Sequence, residues 1–188
     1  MTIAIDIDDT LTDSFSYFIP FVAEYFGANC EELRKKNISY STLPPEWKAK
    51  ENAFGMAYYD KVVPMTPFKK GAKEAVQALR AAGHRVVIIT ARTTDFYTDP
   101  YKTTAEELQN GGIEYDKLIC TVDKSAACLA ERVSVLIDDM PKNCEAALSC
   151  GVGAILFRSP GNREVSVDFP VVENWEEAKA RLLSRGES

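Results

Sequence analysis

The sequence has 188 residues, of which 46% are hydrophobic, so it is long enough for one domain with a substantial core. Its formal net charge of −6 at pH 7 excludes a strongly basic protein, so we expect no binding to nucleic-acid polymers or anionic membranes. Because no apolar run approaches the length of a membrane span and Met1–Asp6 lacks a signal-peptide pattern, we expect a soluble protein.

Six short apolar runs, most of them rich in valine and isoleucine, are predicted to form strands. They do not alternate apolar with polar residues, which is typical of strands buried on both faces of a parallel sheet. In chain order the runs are Thr2–Ile7, Arg85–Thr90, Lys117–Thr121, Ser134–Ile137, Val152–Phe157 and the weaker Phe169–Val172.

Helical patterns separate these runs. They cover Lys70–Ala82, Thr103–Gln109, Ser125–Arg132, Pro141–Ser149 and a terminal helix after the capping pattern at Asn174. Strands that alternate with helices predict an α/β fold with a doubly wound, mostly parallel sheet. The last residues, Arg185–Ser188, are predicted to be a loose tail.

One segment breaks this alternation, because roughly fifty residues separate the first strand from the next helix, more than one crossover needs. Within it, apolar residues recur at helical spacing: Phe15, Phe18, Ile19, Val22, Phe26, and later Trp47, Phe54 and Tyr58. We interpret residues 14–67 as a small helical cap inserted after the first strand, with the α/β core in residues 1–13 and 68–188. An ordinary helical crossover with a long loop is the alternative.

The cysteine pattern indicates free thiols. The chain has five cysteines and one histidine, His84, and no two cysteines form a C-x-x-C pair. An odd number of scattered cysteines argues against a disulfide framework or a zinc site. We therefore expect a reduced, cytoplasmic environment.

Carboxylates, hydroxyl groups and two cations follow the predicted strands at their carboxyl ends, the edge where open α/β sheets bind ligands. In strand order they are Asp6, Asp8 and Thr10; Thr90 and Arg92; Asp123 and Lys124; and Asp138 and Asp139. Carboxylate oxygens suit Mg²⁺, which usually takes a substrate phosphate as a further ligand. The set therefore indicates a site for a hard cation and a phosphate.

Four motifs in this order resemble the haloacid dehalogenase-like phosphohydrolase superfamily. They are Asp6-Ile7-Asp8-Asp9-Thr10, the strand Val86-Val87-Ile88-Ile89-Thr90, the lysine Lys124 at a helix start, and Val135-Leu136-Ile137-Asp138-Asp139. An insertion after the first motif corresponds to the first type of cap in that superfamily. The stretches Asp-Asp-Thr-Leu-Thr-Asp-Ser, Thr-Ala-Arg and Ile-Asp-Asp-Met-Pro-Lys-Asn are most similar to its 5′(3′)-deoxyribonucleotidase branch and bacterial relatives.

The resemblance implies a Mg²⁺-dependent phosphomonoester hydrolase with a Rossmann-like core. Asp6 would be the nucleophile that forms a phosphoaspartyl intermediate, and Asp8 would be the general acid and base. Mg²⁺ would be held by Asp6, the backbone carbonyl of Asp8 and the acidic pair. Within that pair, Asp139 is favoured as the direct ligand, while Asp138 would bind directly or through water.

Four residues are expected to bind the transferring phosphoryl group: Thr90, Ala91, Arg92 and Lys124. Two of them, Thr90 and Lys124, are also expected to be catalytic. Lys117 and Lys142 are alternatives to Lys124, although Lys117 precedes its strand and therefore lies at the wrong end of the sheet. For Arg92 two roles stay open, holding the substrate or pairing with Asp138.

Three further residues are expected to have no chemical role. Thr10 is predicted to steady Asp6, and Asp9 to face solvent or shape the turn. His84 lies just before a strand, at the end opposite the expected site.

The expected partner is a small phosphorylated substrate, in the first place a (deoxy)nucleoside monophosphate. The alternative is a phosphatase or phosphotransferase for another small phosphometabolite, such as a sugar phosphate. A non-catalytic phosphate-binding module is a third interpretation. A phosphorylation-responsive receiver domain fits less well, because there the acidic pair follows the first strand and the phosphoacceptor a later one.

Overall fold

A six-stranded sheet, parallel throughout, forms the centre of the computed structural model, which describes residues 1–35 and 43–184. The strands lie in the order β3-β2-β1-β4-β5-β6. They are β1 (Thr2–Ile5), β2 (Arg85–Thr90), β3 (Lys117–Cys120), β4 (Val135–Asp138), β5 (Gly153–Phe157) and β6 (Val171–Val172). The predicted α/β class and all six predicted strands are confirmed, with small differences at the strand ends.

Helices connect the strands and cover the sheet. They are α1 (Ser14–Phe26), α2 (Cys30–Lys35), α3 (Pro45–Lys48), α4 (Glu51–Val62), α5 (Ala72–Ala81), α6 (Pro100–Asn110), α7 (Lys124–Ala130), α8 (Pro141–Ser149) and α9 (Trp175–Ser184). Helix α6 begins earlier than predicted, because the Asp99 side chain accepts the Lys102 N–H and caps it at Pro100. The predicted tail at residues 185–188 lies outside the described residues.

Both faces of the sheet are buried, which explains the unbroken apolar runs of the strands. Ile3 and Ile5 of β1 pack on one face with α5 and α9, and Ala4 packs on the other with α7 and α8. Successive side chains of a strand point to opposite faces, so a strand covered on both sides needs apolar residues at every position.

The helices α1–α4, here called the insert, share a hydrophobic cluster with Phe96 and Tyr97 of the loop after β2. Phe18 and Phe54 are buried in it, and the rings of Phe26 and Trp47 stack at 4.7 Å between centroids. The chain leaves and returns at one neck, where the Asp13 N–H donates to the Pro67 carbonyl and an isolated antiparallel bridge lies beside it. The division into a core and a cap stays a prediction, and we return to it below.

The described residues contain no helix that is both long and apolar enough to cross a membrane. All five cysteines are free, as the sequence predicts.

Candidate active site

Residues from four strands converge at the carboxyl edge of the sheet. Asp6 follows β1, Thr90 ends β2, Lys124 begins α7 after β3, and Asp138 and Asp139 lie at the end of β4. The ammonium group of Lys124 lies 2.6 Å from Asp6 Oδ1 and 2.6 Å from Asp138 Oδ2. The structure therefore brings together Asp6, the lysine and the acidic pair, all of which the sequence predicts as site residues.

Three buried carboxylates form a cluster at this edge. Asp6, Asp138 and Asp139 each place one oxygen within 4.8 Å of the others. Burial raises the pKa of Asp6 to about 7; Lys124 lowers it, while Asp138 raises it further. Burial, together with the repulsion from Asp6 and Asp138, raises the pKa of Asp139 well above its usual range. The one ammonium group leaves an excess of negative charge, which a divalent cation would offset.

Asp138 already accepts hydrogen bonds on both carboxylate oxygens. The Met140 N–H donates to Oδ1 at 2.8 Å, Asn143 Nδ2 donates to both oxygens, and Lys124 donates to Oδ2. Asn143 is not among the predicted site residues, although it lies in the quoted Asp-Asp-Met-Pro-Lys-Asn stretch. Because its oxygens are occupied, Asp138 is better placed to orient the site than to ligate a cation directly.

Asp139 is held differently, by the loop after β5. Ser159 Oγ donates to Asp139 Oδ2 at 3.1 Å, and Asn162 Nδ2 donates to the Asp139 carbonyl at 2.6 Å. Among the described residues, Asp139 Oδ1 has no hydrogen-bond donor, so it is available to a cation. This fits Mg²⁺, a small cation that is usually held by one or two carboxylates, waters and a substrate phosphate.

Helix α7 places Lys124 in the site. The Asp123 side chain caps the helix, and Lys124 is its first residue, one position before the predicted start at Ser125. Of the two alternatives, Lys117 begins β3 at the far edge and pairs with Glu131, and Lys142 lies in α8. Lys124 is the lysine that contacts the carboxylates.

The hydroxyl group of Thr90 is fully buried and, within the described residues, has no hydrogen-bond partner. A buried hydroxyl without a partner is costly, since it has lost its hydrogen bonds to water. The next residue, Ala91, is exposed. Thr90 therefore has the capacity to donate to an anion that is bound beside Asp6.

Arg92 pairs with Asp8, and the predicted alternative of a pair with Asp138 is wrong. Nε and Nη2 of Arg92 donate to the two Asp8 oxygens at 3.1 and 2.9 Å, and Nη1 donates to Glu107 at 2.6 Å. Ser14 Oγ adds a further hydrogen bond to Asp8 at 2.9 Å. Burial would raise the pKa of Asp8, but the guanidinium group of Arg92 outweighs it, and the pKa is lowered.

The remaining residues of the first motif shape the turn. Asp9 has a left-handed backbone with φ of 56°, and its side chain accepts the Phe15 N–H at the start of α1. It is 9% exposed, so the expectation that it faces solvent is wrong and the turn role is right. Thr10 Oγ1 lies 3.5 Å from Asp6 Oδ2, a long contact, and the Thr10 carbonyl accepts the Trp175 indole N–H.

His84 lies at the opposite edge of the sheet, as predicted. It precedes β2, and its ring hydrogen-bonds the amino terminus at Met1. This position leaves it no part in the chemistry at the carboxyl edge.

A family model described as "5′ nucleotidase, deoxy (Pyrimidine), cytosolic type C protein" matches residues 1–185 of the chain. No curated protein matches it.

Among solved structures the chain is similar to haloacid dehalogenase-like hydrolases. One is a family protein from Streptococcus pneumoniae, with 16% identity, a TM-score of 0.69, and 96% of this chain and 97% of that chain covered. A hydrolase from Deinococcus radiodurans R1 with bound phosphate and sodium has 15% identity, a TM-score of 0.67 and coverage of 98% and 96%. A phosphatase from Thermococcus onnurineus has 18% identity, a TM-score of 0.62 and coverage of 96% and 97%. At these identities the similarity establishes the fold.

Proposed function

Because the chain belongs to the cytosolic type C 5′ deoxynucleotidase family, whose fold is that of the haloacid dehalogenase-like phosphatases, we propose that it is a Mg²⁺-dependent hydrolase of (deoxy)nucleoside monophosphates. One observation carries the proposal. Asp6 lies beside a buried ammonium group and an acidic cluster, at the same strand edge as the unpartnered hydroxyl of Thr90. A nucleophile, a charge-neutralising centre and a donor for phosphoryl oxygens are the groups that phosphoryl transfer needs.

The first step forms and breaks one bond at phosphorus. A carboxylate oxygen of Asp6 attacks the phosphoryl group, the bond from phosphorus to the ester oxygen breaks, and Asp8 gives a proton to the leaving alkoxide. Because Arg92 lowers the pKa of Asp8 in the free protein, Asp8 takes up this proton when the anionic substrate binds, since a nearby negative charge favours the protonated carboxyl group, and releases it after phosphate leaves. Thr90 and Lys124 donate to the phosphoryl oxygens as charge develops on them. Lys124 suits this because its ammonium group has three N–H donors, and two of them are directed at Asp6 and Asp138.

The second step returns the enzyme to its starting state. Asp8, now a carboxylate, takes a proton from water, whose oxygen attacks phosphorus while the bond to Asp6 breaks. The products are inorganic phosphate and a free Asp6 carboxylate. Asp6, the Asp8 carbonyl and Asp139 would hold Mg²⁺, with Asp138 orienting the site. When bound, the ion neutralises charge and acts as a Lewis acid on the phosphoryl oxygens.

The insert is proposed to be the cap that covers this site and selects the substrate. Its first helix, α1, begins at Ser14, which donates to the proposed acid–base residue Asp8. The neck at Asp13 and Pro67 joins the insert to the core directly after the catalytic turn. The insert therefore lies directly beside the reacting groups, where it can contact a bound substrate.

A phosphate-release screen with Mg²⁺ tests the substrate class. We expect kcat/KM for (deoxy)nucleoside monophosphates to exceed that for sugar phosphates at least about tenfold. Steady phosphate release without an added acceptor alcohol would support hydrolysis over phosphotransfer. A preference for sugar phosphates would contradict the nucleotidase proposal while leaving a phosphatase.

The Thr90→Val substitution is expected to change activity and stability in opposite directions. Loss of one hydrogen bond to a charged oxygen, worth roughly 1.5–3 kcal/mol, should lower kcat/KM by about 10- to 100-fold. The free energy of unfolding should stay equal or rise by about 1 kcal/mol, because a buried unpartnered hydroxyl is removed. Steady-state kinetics and urea unfolding measure both quantities. Thr90→Ser, which keeps the hydroxyl, is the control, and full activity of Thr90→Val would exclude the assigned role.

A further inference from the structure

Arg92 is buried between two carboxylates of different elements, and the mechanism above does not use it. The residue is 3% exposed, and Glu107 of α6 is fully buried. Nη1 of Arg92 donates to Glu107 at 2.6 Å and to Thr104 Oγ1 at 3.3 Å, while Nε and Nη2 of Arg92 donate to Asp8. One planar group therefore connects the proposed acid–base residue to a helix of the core.

The partners in α6 fix Arg92 independently of Asp8. A buried guanidinium group stays charged and needs a counter-charge, which Glu107 supplies from a helix held in the core. The ring of Tyr97 also packs against Arg92, with the ring centroid 5.8 Å from the guanidinium carbon. The guanidinium plane is thus held by Glu107, Thr104 and Tyr97, and it presents a rigid two-pronged donor to Asp8.

The bidentate contact between Arg92 and Asp8 fixes the orientation of the Asp8 carboxylate. The two N–H groups of Nε and Nη2 reach different oxygens of the same carboxylate, so they restrict both the position and the plane of the Asp8 side chain. Asp8 needs this restraint, because its side chain is 45% exposed and lies in a turn beyond the end of β1.

We propose that Arg92, anchored by Glu107, is the positioning residue that aims the Asp8 carboxyl group at the leaving oxygen. The inference rests on the proposed phosphatase function, in which Asp8 donates a proton in the first step and accepts one in the second. Arg92 contacts the Asp8 carboxyl group directly and would act on the ester oxygen only through it. It acts by keeping Asp8 within hydrogen-bond reach of the ester oxygen, where small misplacements are costly in rate.

Two substrates separate positioning of the acid from general damage. An alkyl phosphomonoester needs a proton on its leaving alkoxide, whereas 4-nitrophenyl phosphate releases a stable phenolate that needs none. For Arg92→Met we expect kcat on the alkyl substrate to fall by roughly 10²-fold, with KM within about threefold of the parent enzyme. With 4-nitrophenyl phosphate the first step stays fast and the second becomes slow, so a burst of phenolate should precede a slower steady state.

Milder variants refine the test and serve if Arg92→Met does not fold. Arg92→Lys keeps the charge but not the fork, so it should recover only part of the lost kcat and should also show the burst. Glu107→Gln leaves Arg92 paired with Asp8 and should cost roughly tenfold or less. Arg85→Met removes an arginine–glutamate pair with Glu131 at the opposite edge of the sheet, and it should leave kcat and KM for both substrates unchanged.

Each result decides between the possibilities. A larger fall on the alkyl substrate together with a phenolate burst would support the proposal. Equal falls on both substrates without a burst would overturn it, and so would a loss carried by KM, which would make Arg92 a substrate-binding residue. If the parent enzyme releases phosphate from neither substrate, the proposed function itself fails and this inference fails with it.

Discussion

The Asp6→Asn substitution is expected to lower kcat/KM by at least about 10⁴-fold and to leave the protein folded. Asparagine has almost the same shape as aspartate, but its amide oxygen cannot form the covalent intermediate at phosphorus. The change also removes one of three crowded buried carboxylates, whose mutual repulsion contributes to a raised pKa of Asp6. Phosphate release and thermal unfolding measure the two effects separately.

Asp9→Asn is a matched control for this experiment. It makes the same chemical change three residues along the chain, in the same motif. Asparagine tolerates the left-handed backbone at this position, and its amide oxygen can accept the Phe15 N–H as the carboxylate does. We expect its activity to stay within about threefold of the parent enzyme. Preserved activity of Asp6→Asn, beside a folded control, would contradict the nucleophile assignment.

Removal of divalent cations is the second change with a large expected effect. EDTA should abolish phosphate release, and added Mg²⁺ should restore it, because Asp6, Asp138 and Asp139 concentrate negative charge where an anionic substrate must bind. EDTA saturated beforehand with Mg²⁺ should have no effect, which controls for the chelator. Turnover that persists in EDTA would contradict the proposed metal dependence.

Binding of the ion has a readout that does not need activity. Because the proposed ion site exists only in the folded chain, Mg²⁺ should raise the midpoint of thermal unfolding in a concentration-dependent way. For Asp139→Asn, the Mg²⁺ concentration at half-maximal activity should rise by roughly tenfold or more. An unchanged Mg²⁺ requirement would show that Asp139, the carboxylate with one oxygen available, is not a ligand.

The sequence was sufficient for the sheet and for most of the site. The six strands were predictable because strands covered on both faces need apolar residues at every position, and such runs stand out without any partner being known. Asp6, Thr90 and the acidic pair were predictable because each lies at a strand end, and Lys124 because it begins the helix after β3. Parallel strands bring these ends to one edge.

The turn after β1 was only partly predictable. On an extended chain, the side chains of Asp6 and Asp8 would point the same way, because they are two residues apart. The strand ends at Ile5, however, and the chain then forms a turn in which three N–H groups donate to the Ile7 carbonyl. Asp9 is consequently buried under the start of α1 instead of facing solvent. Local backbone geometry of this kind has no periodic signal in a sequence.

Only the tertiary structure decided the partners of the charged groups. Arg92 lies 84 residues from Asp8 along the chain, and its pairing with Asp8 and Glu107 rather than Asp138 depends on α6, which carries Glu107 and packs against β3. The anchoring of Asp138 by Asn143, and of Asp139 by Ser159 and Asn162, depends likewise on loop geometry. Sequence by itself determined which chemical groups reach the edge of the sheet, because strand ends and their residue types are local properties. Folding alone decided which of those charges pair, because burial makes an unpaired charge costly and makes the nearest opposite charge decisive.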